Sequence, residues 1–486
     1  TVSLDMPAAS VVLEGPIIKQ KLSYLIGVRR SWLDLFDELL SEENRMNHSS
    51  ADYNAKLTYA ITPSQTLEAF AYGAKDEYHV PTEEKERLSL LRWNNESYQL
   101  RYSGFKGRLG YAASVYYTSY SNRVHAAALG YDEDRYIQSG INSTNVSTEF
   151  NYSSDAMYNA RWGVKYSYDR YELTNDDNEA SVRLEPISQF SLFYDNHLRI
   201  NDNLTVQVGV NFIGYIPRKS RSYYSIQPRF LLQYSPSKKD MLYLCFSKME
   251  QFYHYLRFGS VALPTDFRMP SIDGYKPRSA DHYEAGWKHY FDNGQLELSA
   301  YYKTRRNIIA LHPDAFYSDA GWKTFIMTGS GYSYSARLYF QKYWKHWMVQ
   351  FSYTYARSME RFKEFRDRGD LPSLFDIPHQ WTGAVSYKLN TRSSFSLGGL
   401  VNSGKIIDMN DWEAIEASDF RKLRRPLNYR IDVGYTYKRD FGNRLLLFRC
   451  GLYNVVGNPT EEELLNFYSV SWGNGCLPYG GISFRF

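Results

Sequence analysis

Residues 204–212 read LTVQVGVNF, and this stretch decides the fold. Leu204, Val206, Val208, Val210 and Phe212 fall on one side of an extended chain, and Thr205, Gln207, Gly209 and Asn211 fall on the other. Successive strand side chains point to opposite faces, so this segment carries one apolar and one polar face. The pattern recurs outward in both directions. Leu296, Leu298, Ala300 and Tyr302 oppose Glu297, Ser299, Tyr301 and Lys303. Trp347, Val349, Phe351, Tyr353 and Tyr355 oppose Met348, Gln350, Ser352, Thr354 and Ala356. Ile431, Val433, Tyr435 and Tyr437 oppose Arg430, Asp432, Gly434, Thr436 and Lys438. A soluble β-sandwich also alternates, but here the apolar faces are long, tyrosine-rich and repeated throughout.

Composition agrees with strands that face lipid on one side. The chain of 486 residues holds 45 tyrosines and is 17% aromatic, yet its mean hydropathy is −0.52. Apolar outside, polar inside and belted by aromatic rings is how a membrane barrel reconciles these values. No uninterrupted apolar run reaches the ~18 residues that a membrane-spanning helix needs. With 57 basic and 53 acidic residues, the net charge of +4 argues against a nucleic-acid partner. Cys245, Cys450 and Cys476 lie far apart with no metal-ligand or CxxC spacing and read as free thiols, with a Cys450–Cys476 bond across the last loop as the alternative.

The connections alternate in length. Short turns fall near Lys19–Lys21, Thr62–Gln65, Gly104–Gly107, Ser153–Asp155, Asn201–Asn203, Ser235–Lys239, Asp292–Gly294, Gln341–Lys345, Asn390–Arg392 and Arg439–Asn443. Long polar excursions lie between them at 31–51, 119–146, 247–281, 304–330, 357–377, 402–426 and 455–477. Short turns on the periplasmic side and long loops outside are the habit of bacterial outer-membrane barrels. With both termini on the short-turn side, the expected fold is all-β: one antiparallel transmembrane β-barrel over residues 1–486, with about 22 strands. The chain stops inside an alternating strand, where Ile482, Phe484 and Phe486 share one face. That strand is expected to pair with the first and remove the sheet edge. A terminal Phe486 also resembles the signal that outer-membrane assembly machinery reads.

Several segments resemble TonB-dependent receptors of the Bacteroidetes type. LEGPIIKQKLSYLIGVRRSWLDLF (13–36) is similar to the start of their barrel. LPTDFRMPS (263–271) and YKPRSADHYEAGWKHYF (275–291) resemble their central loop and the strand after it. FDIPHQWTGAVSYKL (375–389), LNYRIDVGYTYKR (427–439), LFRCGLYNVVGNP (447–459) and LPYGGISFRF (477–486) are similar to their later strands and C-terminus. The resemblance implies an integral outer-membrane transporter without a cofactor. It implies ligand capture by external loops and passage past a plug displaced by a TonB-type energy-transducing complex. Members carry the plug and a TonB box ahead of the barrel, and no residue here is assigned to either. Those parts lie outside this sequence, form a separate chain, or are dispensable. Siderophore, haem, cobalamin, glycan and peptide cargoes all suit such a barrel. A structural barrel subunit joined to a surface lipoprotein, and a passive channel, are the alternative readings.

Candidate binding residues are arginines and tryptophans of the external loops. Arg357, Arg361, Arg366 and Arg368, with Arg305 and Arg306 in an earlier loop, have the fork geometry for carboxylates or phosphates. Interleaved Glu360, Glu364 and Asp367 offer them local counter-ions, and contact with lipopolysaccharide or simple solvation is the plainer reading. Trp322, Trp412 and Trp472 offer rings for stacking on a ligand, or for packing loops and marking the lipid interface. The acidic runs Asp132–Glu133–Asp134 and Asp176–Asp177–Glu179 lack calcium-loop spacing. His282 and His289 differ by an odd number on one strand, so they face opposite ways and share no metal; His379 reads as structural. No serine sits in a nucleophile elbow, and no enzyme activity is expected.

Overall fold

The computed structural model describes residues 1–32, 48–81, 88–125, 136–155, 157–175, 182–256, 266–311, 326–364, 369–373, 375–406, 424–458, 460–465, 468–472 and 476–486. Among the described residues all helix-or-strand structure is strand, and no helix is long and apolar enough to cross a membrane. Twenty-two strands pair antiparallel with their sequence neighbours in one closed ring. Val2–Asp5 closes it against Leu477–Arg485, with Val2 opposite Phe484 and Leu4 opposite Ile482. Closure leaves no unpaired edge, as lipid demands of any sheet that spans it.

The alternation read from the sequence becomes the two faces of the wall. Along the strand Leu204–Pro217, Val208 and Val210 are 51% and 38% exposed and point to lipid. Register carries this face sideways, pairing Val210 with Tyr194 and Leu192 with Phe212. The belt continues through Leu57, Leu100, Val115, Val164, Leu244, Leu298, Leu397 and Phe448, all exposed apolar side chains. The opposite face holds Asn, Ser, Gln and charged residues and lines the lumen.

All ten short turns fall where the sequence placed them, to within a few residues. Two-residue turns need backbone twist that L-residues resist. Gly107 (φ 59°) and Asn293 (φ 60°) supply it between Leu88–Lys106 and Leu109–His125, and between Arg278–Phe291 and Gly294–Leu311. The outer excursions are shorter than their sequence suggests. Strands continue to His125 and resume at Tyr136, continue to Leu311 and resume at Ile326, and run on to Phe362. Above the membrane both faces of a strand meet water, so alternation disappears from the sequence while the ladder bonds persist.

Candidate functional site

The lumen wall is built of charges that neutralise one another across neighbouring strands. Arg29 donates to Asp52 at 2.6 Å, Arg161 to Glu149 at 2.8 Å, and Arg229 to Asp195 at 2.7 Å. Glu297 is 8% exposed and accepts from Arg337 at 3.1 Å, with the Lys288 ammonium 3.6 Å away. The Tyr243 hydroxyl lies 3.0 Å from Glu284 Oε1 and 3.2 Å from Glu297 Oε1, so its one proton serves either carboxylate. A 22-strand ring is too wide for its own side chains to fill. The result is a broad, polar and nearly charge-balanced passage.

The mouth of that passage is narrowed by a segment folded inward. Phe252 and Ile272 pack on Tyr171, Ile187, Ile213 and Tyr215, four buried residues on the lumen face of adjacent strands. Between them a hairpin pairs Tyr253–Leu256 with Phe267–Pro270. Its Leu256, Phe267 and Met269 form a second buried cluster with Leu184, Ile309 and Ile326 at its margin. On the far side the Arg268 guanidinium sits 4.2 Å from the Tyr120 ring centroid, a cation–π contact. His254 anchors the base: its Nε2–H donates to the Lys276 carbonyl at 3.1 Å, with Ser271 Oγ 3.3 Å from the same nitrogen. Burial pushes this imidazole down to about 4, and the nearby Arg278 adds to the effect.

The candidate arginines are divided by the pleat. Arg305 faces the lumen and donates to Glu360 at 2.9 Å and to Ser358 Oγ at 2.8 Å. Arg306 takes the opposite face and donates to Asp281 at 2.7 Å. Arg357 and Arg361 lie at odd positions of Trp347–Phe362, the face that carries Trp347, Val349 and Phe351 lower down. Arg357 joins Arg424 on the fully buried Asp376, and Arg361 donates to Asp370 at 2.8 Å. Each of these four guanidiniums already holds a carboxylate. Arg366, Arg368, Asp367, Trp322, Trp412 and both acidic runs lie outside the described residues; Trp472 ends the strand Tyr468–Trp472.

His282 and His289 do face opposite ways, His282 toward Glu284 at 3.2 Å and His289 toward Asp240 at 2.8 Å. His379 Nδ1 lies 2.9 Å from the Tyr353 hydroxyl. The three cysteines are free thiols. Among the described residues no three metal-ligating side chains converge. Sequence reasoning missed one feature. The inward hairpin has no periodic signature, because its apolar residues serve a loop.

A closed ring of this size, apolar outside and polar within, is an integral outer-membrane barrel. The chain belongs to the TonB-dependent receptor family: residues 52–455 match the family described as TonB dependent receptor-like, beta-barrel. Its fold is similar to a point mutant of the ferric enterobactin receptor PfeA of Pseudomonas aeruginosa, with a TM-score of 0.70 at 12% identity, covering 100% of this chain and 79% of that one. It is similar to the ferric preacinetobactin receptor BauA of Acinetobacter baumannii, with a TM-score of 0.70, 12% identity and 100% and 79% coverage. The copper transporter OprC gives 0.74 at 12% identity, again over 100% and 79%. No curated protein matches the chain.

Proposed function

We propose that this chain is the barrel of a TonB-dependent transporter that takes up a ligand across the outer membrane by energised displacement of a plug domain. The observation that carries this reading is the polar, charge-balanced lumen inside a closed 22-strand ring of this family. Such a ring conducts freely unless something occupies it, and selective uptake then needs an occupant that moves on command. A TonB-type complex at the periplasmic face supplies the work. Similar folds serve ferric siderophore receptors and a copper transporter, which favours a metal chelate over a glycan. Ligand capture falls to the outer loops that carry Arg366, Trp322 and Trp412 and to the upper wall at Arg305. Arg306, Arg357 and Arg361 shape those loops through their carboxylate partners and meet lipopolysaccharide where they face outward. A surface lipoprotein seated on the loops is a compatible partner.

Ile482, Phe484 and Phe486 serve as the assembly signal, since Ile482 and Phe484 lie on the strand that closes the ring. The test begins with the protein purified from outer membranes. Its intact mass should exceed the 56.8 kDa of this chain, or a plug polypeptide should co-purify with it. It should bind the periplasmic domain of a TonB-type protein, and ligand should strengthen that binding. Steady ion conductance with no such engagement would sink the reading in favour of a passive channel.

A further inference from the structure

Positive charge is gathered on one arc of the periplasmic rim. Residues 342–347, 387–393 and 437–445 hold seven lysines and arginines and one acid, Asp440, a net charge of +6. The whole chain carries only +4, so everything outside this arc is net negative. These segments are far apart in the sequence, but they form three successive short turns of the ring. The Lys388 N–H donates to the His346 carbonyl and the Lys438 N–H to the Arg392 carbonyl, both at 2.7 Å. Alternation turns Lys388 and Lys438 to the lumen side, opposite to Tyr387 and Tyr437. Without those two, five cations still face one acid.

The lipid side of the same arc ends in a row of rings, one to each strand. Trp347 is opposite Tyr387, Tyr387 opposite Phe395, and Phe395 opposite Tyr435. Centroids lie 4.5 Å apart for Trp347 and Tyr387 and 5.0 Å apart for Phe395 and Tyr435. Trp347 and Phe395 are each 49% exposed, and rings presented this way mark the membrane–water boundary. Two cations are held at the same level. Lys342 Nζ lies 4.8 Å from the Phe291 ring centroid and donates to the Asp292 carbonyl. The Arg439 guanidinium lies 4.8 Å from the ring centroid of Phe441, itself exposed. Apolar rings with cations just beyond them match a molecule with acyl chains on one side and a phosphate on the other. A soluble acidic polymer would use the cations and leave the rings idle.

We propose that this arc is a binding surface for anionic phospholipid of the periplasmic leaflet, with Lys342, Lys345, Arg392 and Arg439 on the headgroup phosphates and the Trp347–Tyr435 row on the upper acyl chains. The surface faces away from the lumen, so it does not depend on the uptake reading, and a passive channel would carry it equally. The test is native mass spectrometry of the full-length protein, released from detergent after titration with phosphatidylglycerol or with phosphatidylcholine of the same acyl chains. Phosphatidylglycerol should bind at least tenfold more tightly. The triple variant K345Q/R392Q/R439Q should lose that preference, since each cation near an anionic surface is worth about fivefold in binding. The charge-keeping K345R/R392K/R439K should retain it. So should K19Q/K106Q/K238Q, which removes three cations from other turns of the same rim. Heat-modifiable migration on gels confirms that all three variants fold.

Equal binding of the two lipids overturns the proposal. So does an equal loss of preference in K19Q/K106Q/K238Q, because net charge and not this arc would then be the cause. A third result against it is binding of soluble peptidoglycan fragments, whose stem peptides carry carboxylates, by a protein that shows no preference for phosphatidylglycerol. The arc would then belong to the cell wall.

Discussion

The Arg305 guanidinium reaches over an entire intervening strand to donate to Glu360 Oε1 at 2.9 Å. The residue beneath its path is Gly331, paired with Arg305 on one side and with Glu360 on the other. A Cβ at that position would stand 2.5 Å from the Met359 carbonyl oxygen and 3.2 Å from Arg305 Nη2. Gly331→Val should therefore dislodge the ion pair and cost about 2–4 kcal/mol, the range for a part-buried pair broken at one end plus strain. Glu360→Gln should cost somewhat less. Denaturant midpoints followed by heat-modifiable gel migration would show it, and an unchanged midpoint for Gly331→Val would contradict the role given to that glycine.

Asp376 ties two outer loops to the wall. It accepts from the Ser358 backbone N–H at 2.7 Å, from Arg357 Nε and from Arg424, and its side chain is fully buried. Removing its charge leaves two guanidiniums facing a neutral amide. Asp376→Asn should expose the segments around 363–378 and 403–427 to trypsin at least tenfold faster, while the ring stays folded. Identical cleavage of mutant and wild type would refute this.

Seating of the hairpin should depend on acidity through His254. Burial holds its folded pKa at about 4, below the ordinary 6.5. When the hairpin leaves the wall, the imidazole regains its ordinary affinity for a proton. Lowering pH from about 6.5 toward about 4 therefore favours the unseated form progressively, by up to about 3 kcal/mol, and below about 4 the effect levels off. Hydrogen exchange in Tyr253–Leu256, corrected for intrinsic rates, should rise between pH 7 and pH 4.5. His254→Gln should abolish that rise; an equal rise in the variant would assign it to another group.

The two faces of one strand give the sharpest contrast. Val208 faces lipid and Gln207 faces the lumen. Val208→Arg should destabilise the barrel by about 2–4 kcal/mol, and Gln207→Arg by well under 1 kcal/mol. Urea titration in defined lipid vesicles measures both, and similar losses would mean the faces are misassigned.

How much of this was legible in the sequence depends on which solvent each residue meets. Leu204 to Phe212 announced their strand because lipid lies on one side and the lumen on the other. Tyr136–Gly140 and Ile308–Leu311 did not, because above the membrane both faces are bathed by water or covered by loops. A register shift after Arg306, with Asn307 at φ 55°, further breaks the alternation there. Arg305 and Arg306 read as a pair in sequence, and the pleat separates them. Arg424 reaches Asp376 from 48 positions away in the chain, to share it with Arg357. No local pattern encodes such a contact.

The ring is not equally strong all the way round. Leu109–His125 and Tyr136–Asp155 are joined along seventeen facing positions; the first strand, Val2–Asp5, is joined along four to Leu477–Arg485 and along three to Ala8–Ile18. A Ser3–Ser483 hydroxyl contact at 2.8 Å and an Arg449–Asp5 bond at 3.1 Å reinforce the junction from inside. Mechanical load on the wall, whether from a pull at the periplasmic end or from sideways pressure in the bilayer, concentrates at the line with fewest bonds to share it. This barrel therefore has a built-in weak seam on either side of its first strand, which would give way before the longer ladders let go.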